Sequence, residues 1–313
     1  MPPRLRLAVL GSPIAHSKSP LLHAAAYRVL GFDAEYSAIE VGSGELADFV
    51  GGRDASWRGL SLTMPLKEEV LPLLASVDRL AGLTGAANTV LFGPAVPQRD
   101  MQQGDMQQRA ALASASSSAP DGRPTLLGFN TDVAGIVRAV EAAGIHQARH
   151  VLILGAGATA KSALVAAAQL GAQLVTVAAR TPSKAAELIS LGAQVGVIVE
   201  LVPLSAALAG TSGDLTISTL PGEALTADDI GGLRVSPGSA LLDVAYHPWP
   251  STLAARWQGA GGTVVSGLSM LLHQALLQVR VFTLGDPELV LDDEPAVLEA
   301  MADAVGLSGR PGR

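Results

Sequence analysis

The chain has 313 residues, which at roughly 150 residues per domain points to about two domains. Its 21 Lys and Arg stand against 28 Asp and Glu, a net charge of −7, the wrong sign for the basic footprint of a nucleic-acid binder. Apolar residues reach 49% and charged ones only 16%, so large cores can form; the absence of cysteine excludes disulfides, thiolate nucleophiles and cysteine-held metals.

With aromatic residues at only 4%, those cores rest on Ala, Leu and Val. The composition is that of a soluble globular protein and suits a reducing cytoplasm. Met1–Arg6 carries two positive charges but no long apolar stretch follows, so no signal peptide is expected. The uncharged stretch Ser162–Ala179 is broken by Gln169, Gly171 and Gln173, and reads as a helix end, a turn and a strand rather than a membrane span.

Arg4–Gly11 reads as a strand closed by glycine, and Pro20–Leu30 as a helix with Gly31 as its cap. Glu35–Val41 returns to a strand and Glu45–Val50 to a helix. Gly59–Thr63 is a further strand, and Leu66–Leu74 a further helix. This alternation predicts a parallel α/β layer. Between Phe92 and Pro124 the chain turns Gln-, Ser- and Ala-rich and cannot bury enough apolar surface to offset its ordering entropy. It reads as a flexible surface insertion, about 93–124; an interdomain linker is the alternative, disfavoured by the strand-like sequence on both sides.

From His150 the pattern sharpens. Val151–Leu154 is a strand, an Ala-rich helix runs to about Leu170, and Leu174–Ala178 is the next strand. Val195–Val199, Leu215–Thr219, Ala240–Val244 and Thr263–Val265 are further strand candidates, and Gly267–Leu284 is a long amphipathic helix. Residues 134–266 therefore predict a doubly wound nucleotide-binding domain. Residues 1–133, completed by 267–313, form the other domain.

Gly155-Ala156-Gly157-Ala158-Thr159-Ala160 lies between a strand and a helix. Gly155 permits the tight turn and Gly157 lets backbone approach a pyrophosphate at the helix N-terminus. An ordinary strand-to-helix turn is the plainer reading, and the second strand ending near residue 178 favours the dinucleotide. After that strand come Ala179-Arg180-Thr181-Pro182-Ser183-Lys184, with no carboxylate before Glu187. An acid there would favour NAD; these cations suit a 2′-phosphate, so NADP is expected, a solvated helix start being the alternative.

Ser17 and Ser19 sit in a loop before a helix, where hydroxyls and backbone donors suit a carboxylate, although Ser19-Pro20 could be a plain helix start. Gly59-Leu60-Ser61-Leu62-Thr63-Met64-Pro65-Leu66-Lys67, Gly85-Ala86-Ala87-Asn88-Thr89 and Gly128-Phe129-Asn130-Thr131-Asp132 follow. Alone, Lys67 could be solvated and Asn130–Asp132 a cap. In combination and in this order, with Asp243-Val244-Ala245-Tyr246-His247-Pro248 and Gly267-Leu268-Ser269-Met270-Leu271-Leu272-His273-Gln274, they resemble the shikimate dehydrogenase family over nearly the whole chain.

That resemblance implies an α/β protein of two domains, an α/β substrate domain and a doubly wound Rossmann-type NADP domain. It implies NADPH-linked reversible reduction of 3-dehydroshikimate to shikimate, in the precursor pathway of the aromatic amino acids. Lys67 and Asp132 would be the catalytic pair. Ser17, Ser19 and Tyr246 would hold the substrate carboxylate, and Thr63, Asn88 and Gln274 its hydroxyls. Gly155, Ala156, Gly157, Ala158, Thr159, Ala179, Arg180, Thr181 and Lys184 would line the dinucleotide, with Val244 and Gly267 at its nicotinamide end. No metal is implied, and no nucleic-acid or membrane partner; the enzyme would be a monomer or a homodimer, the homodimer favoured.

The chain departs from the family at Ser61 and Ala24, where Asn is common, at Ala158, where glycine is usual, and at Ala179, where Asn commonly stands. A quinate- or aminoshikimate-type dehydrogenase is the near alternative, and a noncatalytic sensor on the same fold the distant one.

Overall fold

The computed structural model describes residues 4–93, 125–210 and 212–307, with the side chain of Lys184 outside that set. The chain divides into two compact units. One runs to Thr131 and resumes at Ala275; the other runs from Asp132 to Gln274.

The first unit holds β1 (Leu5–Gly11), α1 (Ser19–Leu30), β2 (Ala34–Glu40), α2 (Leu46–Gly51), β3 (Trp57–Leu62), α3 (Leu66–Glu69), β4 (Ser76–Val77), α4 (Arg79–Thr84), β5 (Thr89–Phe92) and β6 (Leu126–Phe129). Its six-stranded sheet has the order β2-β1-β3-β5-β6-β4. Central β1 is buried on both faces from Leu7 to Gly11, which explains its unbroken apolar run. Gly31 adopts φ 62° and closes α1 through a bond to the Tyr27 carbonyl, the expected glycine cap.

The expected parallel layer holds for every strand but β5, which runs antiparallel to both β3 and β6. An antiparallel neighbour can pair without the crossover connection that a parallel one needs, and apolar alternation does not encode which of the two forms. The insertion expected over 93–124 lies outside the described residues beyond Gly93. The helix expected over Leu66–Leu74 is shorter: α3 gives way to a 3-10 turn at Leu71–Leu73. Pro72 is the reason, since it has no N–H to continue the helical ladder. Leu10, Leu46, Leu60, Leu66, Val70 and Val90 build the core on one side of this sheet.

The second unit holds α5 (Asp132–Ala142), β7 (His150–Leu154), α6 (Ala158–Gln169), β8 (Leu174–Ala179), α7 (Glu187–Val195), β9 (Ile198–Pro203), α8 (Leu204–Leu208), β10 (Leu215–Ser218), β11 (Ala240–Asp243), α9 (Thr252–Gly259) and β12 (Thr263–Ser266). All six strands are parallel in the order β12-β11-β10-β7-β8-β9, which counted from β7 is the doubly wound order. The strand expected at Val195–Val199 is displaced. Val195 still belongs to α7, Gly196 caps that helix at φ 77°, and β9 starts at Ile198. An apolar run this short does not declare its period.

The long helix α10 (Gly267–Leu284) forms over the expected residues and is followed by α11 (Glu294–Ala304). The division between units falls inside α10, after Gln274, whereas the sequence pattern puts it at the helix start. Nothing in a continuous amphipathic helix marks such a point. In the first unit α11 packs on α1, and the buried Arg280 guanidinium is held by Glu294, with Nε 2.7 Å from Oε2.

Candidate active site

In the first unit the C-terminal ends of β1, β3 and β6 and the start of antiparallel β5 share one edge of the sheet. Short backbone bonds tie their loops together. Thr63 N–H donates to Leu10 O (2.9 Å), Ser12 N–H to Met64 O (3.0 Å), Leu62 N–H to Asn88 O (2.7 Å) and Asn88 N–H to Phe129 O (3.0 Å). The Lys67 carbonyl accepts from Ala87 N–H at 2.8 Å, so the lysine turn and the Gly-Ala-Ala-Asn turn are one assembly. Four motifs widely spaced in sequence thus meet: the serine loop, Thr63–Lys67, Asn88 and Asn130–Thr131.

Ser19 opens α1 rather than capping it, and its N–H donates to Ser17 Oγ at 3.3 Å. Ser19 is buried, while Ser17, Thr63 and Lys67 are partly exposed. Asn88 is fully enclosed. Its Oδ1 accepts from Thr131 N–H (2.9 Å) and from the Thr89 hydroxyl (2.9 Å), and its Nδ2 donates to Thr131 Oγ1 (2.9 Å). Asn130 is structural: its Nδ2 donates to Thr84 Oγ1 (2.9 Å) and to Ala86 O (3.0 Å).

Behind these loops stands Asp78, which the sequence motifs do not mark. It caps α4 by accepting from Ala81 N–H at 2.6 Å, and the same Oδ1 accepts from Asn130 N–H at 3.3 Å. Burial pushes its carboxyl up to about 6, against the two backbone donors and Arg79, which favour the anion.

In the second unit the glycine-rich turn has the form a dinucleotide needs. Gly155 lies at φ 110°, a Cβ there would sit 2.3 Å from Thr219 Oγ1, and its N–H donates to Ala178 O at 2.9 Å. No other residue could make that turn. Gly157 faces open space, with nothing within 4 Å of a Cβ placed on it. It precedes the twelve-residue α6 without capping it by a side chain, leaving first-turn N–H groups available to an anion. Ala156, Ala158 and Thr159 are partly exposed around it.

Ala179, the last residue of β8, is buried, while Arg180 and Thr181 beyond it are exposed. The expected role of the Lys184 side chain falls outside the described residues. Glu187, the first carboxylate after the strand, is bound by Lys161 from α6 at 3.1 Å, so its charge is compensated. At the end of β11, Val244 N–H donates to Ser218 O at 3.0 Å, and a Cβ on Gly267 would fall 2.0 Å from Val244 O. Val244 and Gly267 are thus brought together, and only a glycine allows it. Asp243 orders the following loop by accepting from Ala245 N–H (3.2 Å) and the Ser251 hydroxyl, and burial raises its carboxyl above the usual range. Tyr246 follows, partly exposed. Asp132 opens α5 and Gln274 ends this unit's share of α10; both are buried. A Cβ on Gly135 would meet Gln274 Cβ at 2.7 Å, so α10 starts close against α5.

The family profile described as the shikimate dehydrogenase substrate binding domain matches residues 9–90. A relative from Methanothermobacter thermautotrophicus named shikimate dehydrogenase (NADP(+)) is 32% identical over 298 residues, covering 91% of this chain and 93% of its own. The chain belongs to the shikimate dehydrogenase family. Among solved structures, the shikimate dehydrogenase of Mycobacterium tuberculosis superposes with a TM-score of 0.72 at 37% identity, over 96% of this chain and 99% of that one. The enzyme from Thermus thermophilus, solved in complex with NADP(H) and shikimate, gives 0.70 at 30% identity, over 96% and 99%. The two-domain α/β architecture and the family expected from the motifs therefore stand.

The motifs include Thr89 without giving it a role and pass over Tyr36 and Gln278; all three join Ser61 and Asn88 in one buried polar network. One signal was available: Gln278 lies four residues after Gln274, on the same face of the helix.

Proposed function

We propose that this chain catalyses the reversible, NADPH-linked reduction of 3-dehydroshikimate to shikimate, in the route to chorismate and the aromatic amino acids. The observation that carries this reading is likeness over nine-tenths of the chain to relatives named for that activity, joined to a site edge where all the family motifs of the first unit meet. The glycine-rich turn, the open N-terminus of α6, exposed Arg180 and the compensated Glu187 fit a dinucleotide carrying a 2′-phosphate. When bound, that cofactor supplies the hydride.

The chain's own residues do the rest. Charge develops on the carbonyl oxygen as the ketone is reduced, and the Lys67 ammonium is a donor and a cation suited to meet it. Asp132 is the carboxylate that completes the acid–base pair. Ser17, Ser19 and Tyr246 hold the substrate carboxylate; Thr63, Asn88 and Gln274 hold its hydroxyls, which fixes the face presented to the cofactor. Gly155–Thr159, Ala179–Thr181 and Lys184 hold the dinucleotide, with Val244 and Gly267 at its nicotinamide end. The enzyme acts in the cytoplasm on small molecules, without nucleic-acid or membrane partners, as a homodimer or a monomer.

The deciding measurement follows cofactor absorbance with shikimate or quinate, each with NADP+ or NAD+. Shikimate with NADP+ is expected to give the highest kcat/KM. Quinate with NAD+ as the best pair, or no turnover with any, would overturn the assignment.

A further inference from the structure

A chain of buried hydrogen bonds in the first unit has only one consistent arrangement of protons, and Gln278 sets it. Gln278 Nε2 lies 3.2 Å from the Asn88 carbonyl and 3.1 Å from Thr89 Oγ1. A carbonyl only accepts, so the Gln278 amide cannot be turned over without setting two oxygens against each other. Its Oε1 is then an acceptor, 2.8 Å from Ser61 Oγ and 3.3 Å from His23 Nε2. Ser61 must donate to it, and Ser61 in turn accepts from the Tyr36 hydroxyl at 2.7 Å. His23 must carry its proton on Nε2, leaving Nδ1 to accept from Tyr27 OH at 3.0 Å. The imidazole is neutral, held down to about 3 by complete burial, and it stacks on the Tyr36 ring at 3.9 Å.

The other arm leads to Asn88. Because Thr89 Oγ1 accepts from Gln278, its own proton goes to Asn88 Oδ1, 2.9 Å away, where Thr131 N–H also donates. Two donors converge on one oxygen, so the Asn88 amide has a fixed orientation, with Nδ2 on the side of Thr131 Oγ1. Gln278, Thr89 and Asn88 are each at most 2% exposed, so water cannot substitute for a missing member.

We propose that Gln278 and Thr89 are positioning residues that lock the Asn88 amide in the orientation in which it meets a substrate hydroxyl. This rests on the proposed activity, since Asn88 is given its substrate there. Neither residue is expected to touch the substrate.

The test uses the full-length protein with Thr89→Val, which removes one hydroxyl at nearly constant shape. KM for shikimate is expected to rise about tenfold with kcat within about twofold, a loss confined to ground-state-like binding, and KM for NADP+ to stay as it was. In an Asn88→Ala background the same substitution is expected to change nothing further, because its effect runs through that amide. Gln278→Met, made on a different element, should reproduce the shift if Thr89→Val fails to fold. Independently of turnover, the side-chain amide resonance of Asn88, assigned by its disappearance in Asn88→Ala, is expected to move in both variants. An unmoved resonance, an unchanged KM, or full additivity with Asn88→Ala would each overturn the proposal. A wild-type protein inactive on shikimate would instead overturn the proposed function, and the resonance would still decide the orientation.

Discussion

Asp78→Asn tests the electrostatics beneath the site. Asp78 sits at the N-terminus of α4 and ties Asn130 to it through one oxygen. Its carboxyl titrates near 6 instead of its ordinary 3.8, chiefly because burial disfavours the anion; Glu288 adds to the rise and Arg79 opposes it. Between about pH 4 and 6 the folded state binds more protons at this group than the unfolded chain, so its contribution to stability falls as pH rises through that window. Two pH units at about 1.4 kcal/mol each make this on the order of 3 kcal/mol, fully expressed above pH 7. Asparagine keeps an acceptor for the Ala81 N–H and is a good N-cap, but carries no charge to bury. The variant is therefore expected to match wild type near pH 4 and to be more stable by roughly 2 to 3 kcal/mol at pH 7.5. Urea unfolding across pH 4–8 reads this out by fluorescence, Trp57 being the one tryptophan in this unit. A difference between variant and wild type that stays constant with pH, or a variant less stable at pH 7.5, would refute the reasoning.

Lys67→Ala is expected to lower kcat by at least about a thousandfold while the dissociation constant for shikimate, measured by calorimetry, changes little; near-normal turnover would remove Lys67 from the chemistry. Arg180→Ala is expected to raise KM for NADP+ by roughly tenfold or more and leave KM for NAD+ almost unchanged, as steady-state assays with both cofactors will show. Lys161→Met leaves Glu187 uncompensated near the same strand end, and should shift the ratio of kcat/KM values away from NADP+ and toward NAD+. Arg280→Met takes away the guanidinium paired with partly exposed Glu294 and is expected to cost about 3 kcal/mol in urea unfolding, more than the double variant Arg280→Met/Glu294→Gln.

Much of this molecule is legible in its sequence. The doubly wound sheet could be read because its strands are short apolar runs separated by helical periods, and the C-terminal helix from Gly267 because its period never breaks. What escaped had physical causes. Pro72 cut a helix that its apolar spacing alone would have continued. β5 runs against its neighbours, a choice of direction that apolar alternation does not encode. Gly196 moved a strand by three residues from where an apolar run suggested it. At the site, residues inside motifs were visible, and Asp78, Tyr36 and Gln278 were not. Their importance lies in partners 25 to 255 positions away, which no local pattern encodes.

The same network accounts for a departure from the family that sequence alone left open. Ser61 stands where Asn is common, and a shorter side chain in a buried strand would leave polar neighbours unsatisfied. Here the Gln278 amide reaches in from α10, taking the Ser61 proton and donating to Asn88 O, so a side chain from another element supplies the amide chemistry that position 61 lacks. Ser61 and Gln278 should then behave as a pair. Ala24, the second departure, is exposed on α1 next to buried His23, so no hydrogen-bonding group is missing from the core there. The arrangement carries an acid limit. His23 must stay neutral to remain buried, so its contribution to stability is lost as pH falls from 6.5 toward 3, opposite in sign to that of Asp78. Over pH 4 to 6 the Asp78 slope offsets that of His23, while partly buried His273, held down to about 4, adds a slope of the same sign as that of His23. Removing the carboxyl in Asp78→Asn removes that offset, so between about pH 6 and 4 the variant's own stability should fall more steeply with acid than the wild type's does.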